Sequence, residues 1–384
     1  MNLNQLGALL QERRQQHLYR QRKIITGPQG PTVNVDGRLL ISFCSNDYLG
    51  LANHPKVIKA LQYGAEKYGV GSGASHLISG HSVAHHALEE ELADFVQRPR
   101  ALLFSTGFMA NLGAITALMD KSGAIFEDRL NHASLIDAGL YSGARLQRYL
   151  HADVQSLQTH LGKSSAVQKL IVSDGVFSMD GDIAPLSQLA QTAHQHNATL
   201  MVDDAHGIGV LGDKGRGSVA HYSLDINDVP IHMATLGKAL GTFGAFIAGS
   251  DELIETLIQL ARSYVYTTAL PPAIAEATRV SVKLAQQEQW RRDKLQRLID
   301  KFRSGATQLG YQLIASETPI QPLIIGDSET ALRLSNALME KGFFIGAVRP
   351  PTVPQGSARL RITFSANHDE QQVEQLLGAL DSLA

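Results

Sequence analysis

What most constrains this chain is a rhythm that begins at Ala101. Short apolar runs (ALLF, AIF, RLQRYL, KLIVSD, TLMVDD, HMAT) alternate from there with stretches of helical pattern. Strands separated by helices cannot pair as hairpins, so the alternation predicts an α/β fold around a mostly parallel, doubly wound sheet. Open sheets of this kind bind ligands beyond the C-terminal ends of their strands. The residues that follow each strand are therefore where chemistry is expected.

Two such ends lie in Thr199–Gly249. The strand Thr199–Val202 runs into a carboxylate pair, Asp203 and Asp204, followed by His206 and a glycine-rich loop; the strand His232–Thr235 runs into Lys238, between Gly237 and Ala239. Gly207-Ile208-Gly209-Val210-Leu211-Gly212 matches the dinucleotide pattern G-x-G-x-x-G. That motif requires its glycines to open a helix, whereas here they lead into the loop sequence Asp213-Lys214-Gly215-Arg216-Gly217. A nucleotide P-loop at Gly237-Lys238 fails, because Ala239 stands where Ser or Thr is needed. Pyridoxal phosphate (PLP) chemistry fits better. The cofactor needs a lysine for its Schiff base and a carboxylate to keep its pyridine nitrogen protonated. Asp203, His206 and Lys238 supply an acid, a hydrogen-bonding imidazole and an amine.

Other segments converge on the same edge. ALLF runs into Ser105-Thr106-Gly107-Phe108 and a helix, a turn that presents free backbone N–H groups and a helix dipole to a phosphate. Asn131-His132-Ala133-Ser134 follows AIF and opens another helix, where His132 fits either a capping or a catalytic role. Upstream, residues 3–22 predict an amphipathic helix with Leu3, Leu6, Leu9 and Leu10 on one face and solvated arginines on the other. TVNVDGRLLISF predicts a hairpin turning at Asp36-Gly37, and a helix is expected from Pro55. Gly69–Gly80 reads as an ordered, backbone-donating loop. His81, His85 and Glu89 read as a polar helix face, with no metal site. A long charged helix is expected over Pro272–Gln308, followed by a smaller α+β unit in which Arg359 and Arg361 share one face of a strand. The expected divisions are 1–45, an N-terminal helix and hairpin segment; 46–285, a large cofactor-binding domain; and 286–384, a small C-terminal domain.

Composition narrows the function. With 384 residues, 44% of them hydrophobic, the chain can bury a sizeable core; its net charge of −2, without basic blocks, gives no support for binding nucleic acid or a membrane surface. The single cysteine, Cys44, precludes an internal disulfide and fits a reducing compartment. The polar N-terminus MNLNQLGALLQERRQQ has no signal-peptide core, so a cytoplasmic protein is expected.

The motifs SNDYLG (45–50), GSGASHLISG (71–80), FSTGFMAN (104–111), NHASL (131–135), DGVFSMDGD (174–182), VDDAHGIGVLG (202–212), TLGKALG (235–241), YTTALPP (266–272) and PPTVPQGSARLRIT (350–363) occur in order along nearly the whole chain. In them the chain resembles the α-oxoamine synthases, fold-type-I PLP enzymes that condense an amino acid with an acyl thioester. The resemblance implies a seven-stranded-type sheet in the large domain and a homodimer with shared active sites. Lys238 would bond the cofactor and later act as base, Asp203 would pair with the pyridine nitrogen, and His206, with Ser178 nearby, would meet the phenolic oxygen. His132 would stack on the ring. Gly107, Phe108, Met109 and Thr235 would hold the phosphate, joined by Thr267 from the partner subunit. Arg361 would bind the amino-acid carboxylate, with Asn46 and Ser75 lining the substrate side. Arg20 and Arg349 would take the acyl chain's far carboxylate or its carrier, with Thr352 also binding substrate. Ala74 and His76 depart from the G-S-G-G-[ST]-R loop of many relatives. QPLIIGD and RPPTVPQGSARLR favour the member that joins L-alanine to a pimeloyl thioester, carried on coenzyme A or acyl carrier protein, over glycine-using members or a non-catalytic subunit.

Overall fold

The computed structural model describes residues 3–383. The chain divides into two compact units: one is Leu49–Ser178 with Ile183–Arg292, and the other comprises the segment ending at Tyr48, Met179–Asp182 and the chain from Asp293 onward. The residues expected to form a separate N-terminal segment thus share a unit with the C-terminal ones.

In the smaller unit, β1 (Ile25–Thr26), β2 (Thr32–Val35) and β3 (Arg38–Ser42) form an antiparallel ladder. Its turn is the expected Asp36-Gly37, both at positive φ (49° and 85°), the geometry of a two-residue hairpin loop. The N-terminal helix is shorter than expected, a 3₁₀ turn Leu3–Gln5 followed by Leu6–Gln15, and it buries none of its residues. Its leucine stripe meets no core, so nothing carries the helix on to residue 22.

The larger unit holds seven strands: β4 (Arg100–Phe104), β5 (Ala124–Asp128), β6 (Arg145–Tyr149), β7 (Lys169–Asp174), β8 (Thr199–Asp203), β9 (Ile231–Thr235) and β10 (Ala245–Gly249). Their order is β4-β10-β9-β8-β7-β5-β6, with β10 antiparallel to both neighbours and the other six running one way. β10 is the strand missing from the sequence expectation; it follows β9 after a short loop rather than a helix. Side chains alternate faces along each strand. Ile125, Leu170, Val172 and Met201 pack on one face with the helices Gly107–Leu118, Ala133–Ser142 and Asp251–Leu260. Phe126, Ile171, Leu200 and Val202 pack on the other with Val154–Gly162 and Leu186–Gln195. Apolar residues on both faces explain why these strands read as continuous hydrophobic runs.

The long helix expected over 272–308 is two helices, Pro272–Gln287 and Trp290–Gln308, with Glu288 out of helical conformation (φ −97°, ψ 62°) between them. Beyond it come β11 (Ile320–Gly326), β12 (Phe343–Phe344), β13 (Gly346–Val348) and β14 (Ala358–Thr363). FFIGAV, which reads as one strand, is divided between two sheets. β12 pairs in parallel with β3, while β13 joins the antiparallel sheet β11-β14-β13. Among the described residues no helix is long and apolar enough to cross a membrane.

Candidate active site

The C-terminal edge of the large sheet collects the predicted groups. β8 ends in Asp203, β9 is followed by Lys238, β7 ends in Asp174 ahead of Ser178, β5 leads to His132, and β4 leads to the helix Gly107–Leu118. Because the six strands run one way, every one of these groups emerges on the same side.

Lys238 Nζ lies 2.8 Å from His206 Nε2. Lys238 is half-buried, and His206 and Asp203 are buried. The Asp203 carboxylate is oriented by two donors: Oδ1 accepts the Ala205 N–H at 3.0 Å and Oδ2 accepts Asn111 Nδ2 at 2.7 Å. Asn111 also donates to Ser134 Oγ at 2.9 Å, which lies 2.8 Å from His132 Nδ1. A continuous polar chain thus runs from His132 through Ser134 and Asn111 to Asp203. His132 is the N-cap of the helix Ala133–Ser142 as well as a member of this chain, accepting the Ser134 N–H at 3.3 Å. Its own N–H donates to Asp174 Oδ2 at 2.7 Å.

Electrostatics differentiate these groups. Burial lowers the His132 pKa below the ordinary imidazole value, as does Lys238 more weakly, while Asp203 pulls it back up. The ring is therefore neutral near pH 7. Burial, reinforced by neighbouring Asp203, raises the Asp174 carboxyl well above the usual range. Such a rise is expected when two buried acids face each other on adjacent strands.

Asp204 acquires a structural role. Its Oδ2 accepts the Ser218 N–H at 2.8 Å and lies 3.2 Å from His232 Nε2. The surrounding glycines make room for it: a Cβ at Gly207 would fall 2.0 Å from Asp204 Oδ1, and one at Gly217 1.8 Å from Oδ2. The G-x-G-x-x-G pattern thus begins on a glycine, Gly207, packed against a buried carboxylate. It leads into the short 3₁₀ turn Asp213–Gly215, not a dinucleotide-binding helix.

The residues present suit PLP. First-turn N–H groups of a helix have no intrahelical acceptor, and those of Gly107 and Phe108 open a twelve-residue helix at this edge. The Met109 N–H goes instead to its N-cap, Thr106 Oγ1, at 3.2 Å. A Cβ at Gly107 would lie 2.9 Å from the Met233 side chain, so glycine keeps that approach open. Thr235 Oγ1 donates to the Gly244 carbonyl at 3.0 Å. An amine beside an imidazole, a buried carboxylate with two donors and a helix N-terminus together match the amine, ring-nitrogen and phosphate requirements of the cofactor. Thr267 is half-buried just past the helix Arg262–Val265, and Ser75 is the N-cap of a single π-turn, His76–Gly80.

The smaller unit brings together the remaining candidates. Arg361, buried on β14, donates from Nη1 to Asn46 Oδ1 at 3.2 Å. Arg359, also buried, is bound by the Asp180 carboxylate and by the Met179 carbonyl at 3.2 Å, so neither arginine is a surface group. Arg20 Nη2 donates to Thr352 Oγ1 at 3.1 Å, and Arg349 donates to the His17 carbonyl; burial and neighbouring Arg20 both lower the Arg349 pKa. Two guanidiniums beside a hydroxyl suit a carboxylate or phosphate ligand.

Asn111 and Asp174 were not among the predicted site residues. Asn111 closes the FSTGFMAN motif four residues into its helix, and Asp174 ends KLIVSD as Asp203 ends its own strand. The strand-end rule, applied to every strand, would have found Asp174.

The fold and the site define a PLP-dependent enzyme of the fold-type-I class, and the aminotransferase class I and II family matches residues 38–380. Over 375 residues, 98% of this chain and 94% of the relative, the sequence is 61% identical to the 8-amino-7-oxononanoate synthase of Cellvibrio japonicus. Among solved structures, a serine palmitoyltransferase from S. paucimobilis with bound PLP–myriocin superposes with a TM-score of 0.94 at 29% identity, covering 100% of this chain and 98% of that one. The 8-amino-7-oxononanoate synthase of Francisella tularensis superposes with a TM-score of 0.79 at 34% identity, covering 90% and 97%. The chain therefore belongs to the class I and II aminotransferase family and, within it, to the 8-amino-7-oxononanoate synthases, in line with the resemblance to the α-oxoamine synthases. Its cofactor is PLP.

Proposed function

We propose that the protein condenses L-alanine with a pimeloyl thioester, on coenzyme A or acyl carrier protein, releasing CO2, the free thiol and 8-amino-7-oxononanoate in a step of biotin synthesis. The observation that carries this reading is the Lys238–His206 pair, 2.8 Å apart at the sheet edge that also bears Asp203. PLP, when bound, supplies an electron sink for the carbanion formed at the alanine Cα.

The chain's own groups do the rest. Lys238 would anchor the cofactor and its amine would take the Cα proton; His206, 2.8 Å away, fixes where that amine points. Asp203, held by Asn111 and the Ala205 N–H, keeps a proton on the ring nitrogen. Neutral His132 would stack on the cofactor ring and offer a hydrogen-bonding group to the condensing carbonyl, and Ser178 would serve the phenolic oxygen. Gly107 and Phe108, with Thr235, would hold the phosphate. Arg361 is matched to the alanine carboxylate and Arg20, Arg349 and Thr352 to the far end of the acyl substrate, with Asn46 and Ser75 on the substrate side.

We read the protein as a cytoplasmic homodimer in which Thr267 serves the neighbouring copy's phosphate site. A light-scattering mass of one chain in solution would sink the dimer. The substrate reading is tested by carrier-thiol release from pimeloyl thioesters of coenzyme A and of acyl carrier protein, with L-alanine and with glycine. Preferred turnover with L-alanine and the seven-carbon chain is expected. Faster release with glycine, or with a short acyl chain, would overturn it.

A further inference from the structure

Away from the sheet edge, four imidazoles and a carboxylate gather where the glycine-rich loop meets the helix Val83–Phe95. His81 precedes the N-cap, Ser82, and is not on the helix; His86 and Glu89 follow three residues apart, on one helical face. One ligating atom from each of His81, His86 and Glu89 lies within 4.8 Å of the other two, with His81 Nε2 3.9 Å from Glu89 Oε2. Ligands on a tetrahedral zinc ion stand about 3.3 Å apart, so His81 and Glu89 have to close by about 0.6 Å while the exposed His86 side chain turns toward them.

Two of these ligands, His81 and Glu89, carry a second hydrogen bond behind them. His81 Nδ1 pairs with His76 Nδ1 at 3.0 Å, and buried His76 is itself stacked on Tyr264. Glu89 Oε1 accepts the Leu103 N–H at 2.9 Å, leaving Oε2 toward the imidazoles. A second hydrogen bond that sets ring orientation and carboxylate direction is what metal ligands usually carry. His85 belongs to the framework instead. Its Nδ1 accepts the Ser82 N–H at 3.0 Å, and its Nε2 lies 2.6 Å from the Leu270 carbonyl, so it is neither a ligand nor part of a polar helix face. Glu90 lies 3.6 Å from His86 and adds negative charge, while nearby Arg100 is paired with Asp251 and Glu255. The group borders a cavity of about 260 Å³, large enough for a water ligand.

We propose that His81, His86 and Glu89 form a site for one divalent transition-metal ion of the zinc type, with water completing the coordination. The ion ties the start of this helix to β4 through Glu89 and to the glycine-rich loop through His81 and His76. Calorimetric titration of zinc chloride into metal-stripped holoenzyme tests it. Expected are one ion per chain, at least tenfold weaker binding in His86→Gln and in His81→Gln, and unchanged binding in the control His221→Gln. Cobalt(II) chloride should give visible d–d bands that His86→Gln abolishes, while His86→Gln keeps its thiol-release activity. Absence of stoichiometric zinc binding, or parental affinity in His86→Gln, would overturn the proposal. His86 is exposed, so that variant is expected to fold and decides the matter even if His81→Gln does not.

Discussion

Asn111 is the residue on which the polarity of the site turns. It joins Asp203 to Ser134, and through Ser134 to His132, by bonds of 2.7, 2.9 and 2.8 Å. A hydrogen bond to a buried carboxylate is worth about 1.5–3 kcal/mol, roughly 10- to 100-fold in rate if it is needed at the transition state. Asn111→Ala should therefore lower kcat for thiol release by that factor and weaken PLP retention on dialysis. An unchanged kcat would mean that Asp203 holds its position without Asn111. Asp203, His206 and Lys238 were legible because strand ends announce themselves as an apolar run followed by an ionisable group. Asn111 was not, because an amide inside a helix looks like any other polar helix position until the facing strand is known.

The loop from Gly207 to Gly217 shows how an element can mimic a motif it does not contain. Two of its glycines, Gly207 and Gly217, are required by a carboxylate, Asp204, that occupies the space their side chains would fill. Gly217 (φ +97°) combines this contact with a backbone region reserved for glycine, whereas Gly143 (φ +76°) caps a helix with nothing near its absent Cβ. Gly143→Ala should cost about 1 kcal/mol. Gly217→Ala adds a clash with a buried acid and should cost more than about 3 kcal/mol. The thermal midpoints of the two variants check the ranking, and equal midpoints would show that the loop yields around Asp204. The strand–helix rhythm was readable because parallel strands are apolar on both faces. β10 and the division of FFIGAV were not, because a strand's partner depends on residues distant in sequence. The helix boundary at 15 depends likewise on whether a core meets the apolar stripe.

For the whole molecule, acid stability rests in part on a buried histidine, His368. His368 stacks on Phe43, its Nδ1 accepts the Ser365 N–H at 2.9 Å and its Nε2 lies 2.8 Å from the Ser42 carbonyl, an arrangement that suits the neutral ring. Burial pushes its pKa down to about 4. Between the ordinary imidazole value and that figure, the unfolded chain takes up a proton that the folded chain does not. Stability contributed by the neutral ring is thus present above about pH 6.5 and falls by about 3 kcal/mol as pH drops toward 4. The gap in thermal midpoint between the wild type and His368→Gln should narrow as pH falls through that window; a constant gap would contradict the assignment. The central claim, that Lys238 is the amine on which the PLP chemistry depends, has a more direct test. Borohydride reduction of the holoenzyme, followed by peptide mapping, should place the pyridoxyl group on Lys238, and Lys238→Ala should release no thiol from the pimeloyl thioester with L-alanine. A pyridoxyl group on another lysine, or normal turnover by Lys238→Ala, would contradict the account.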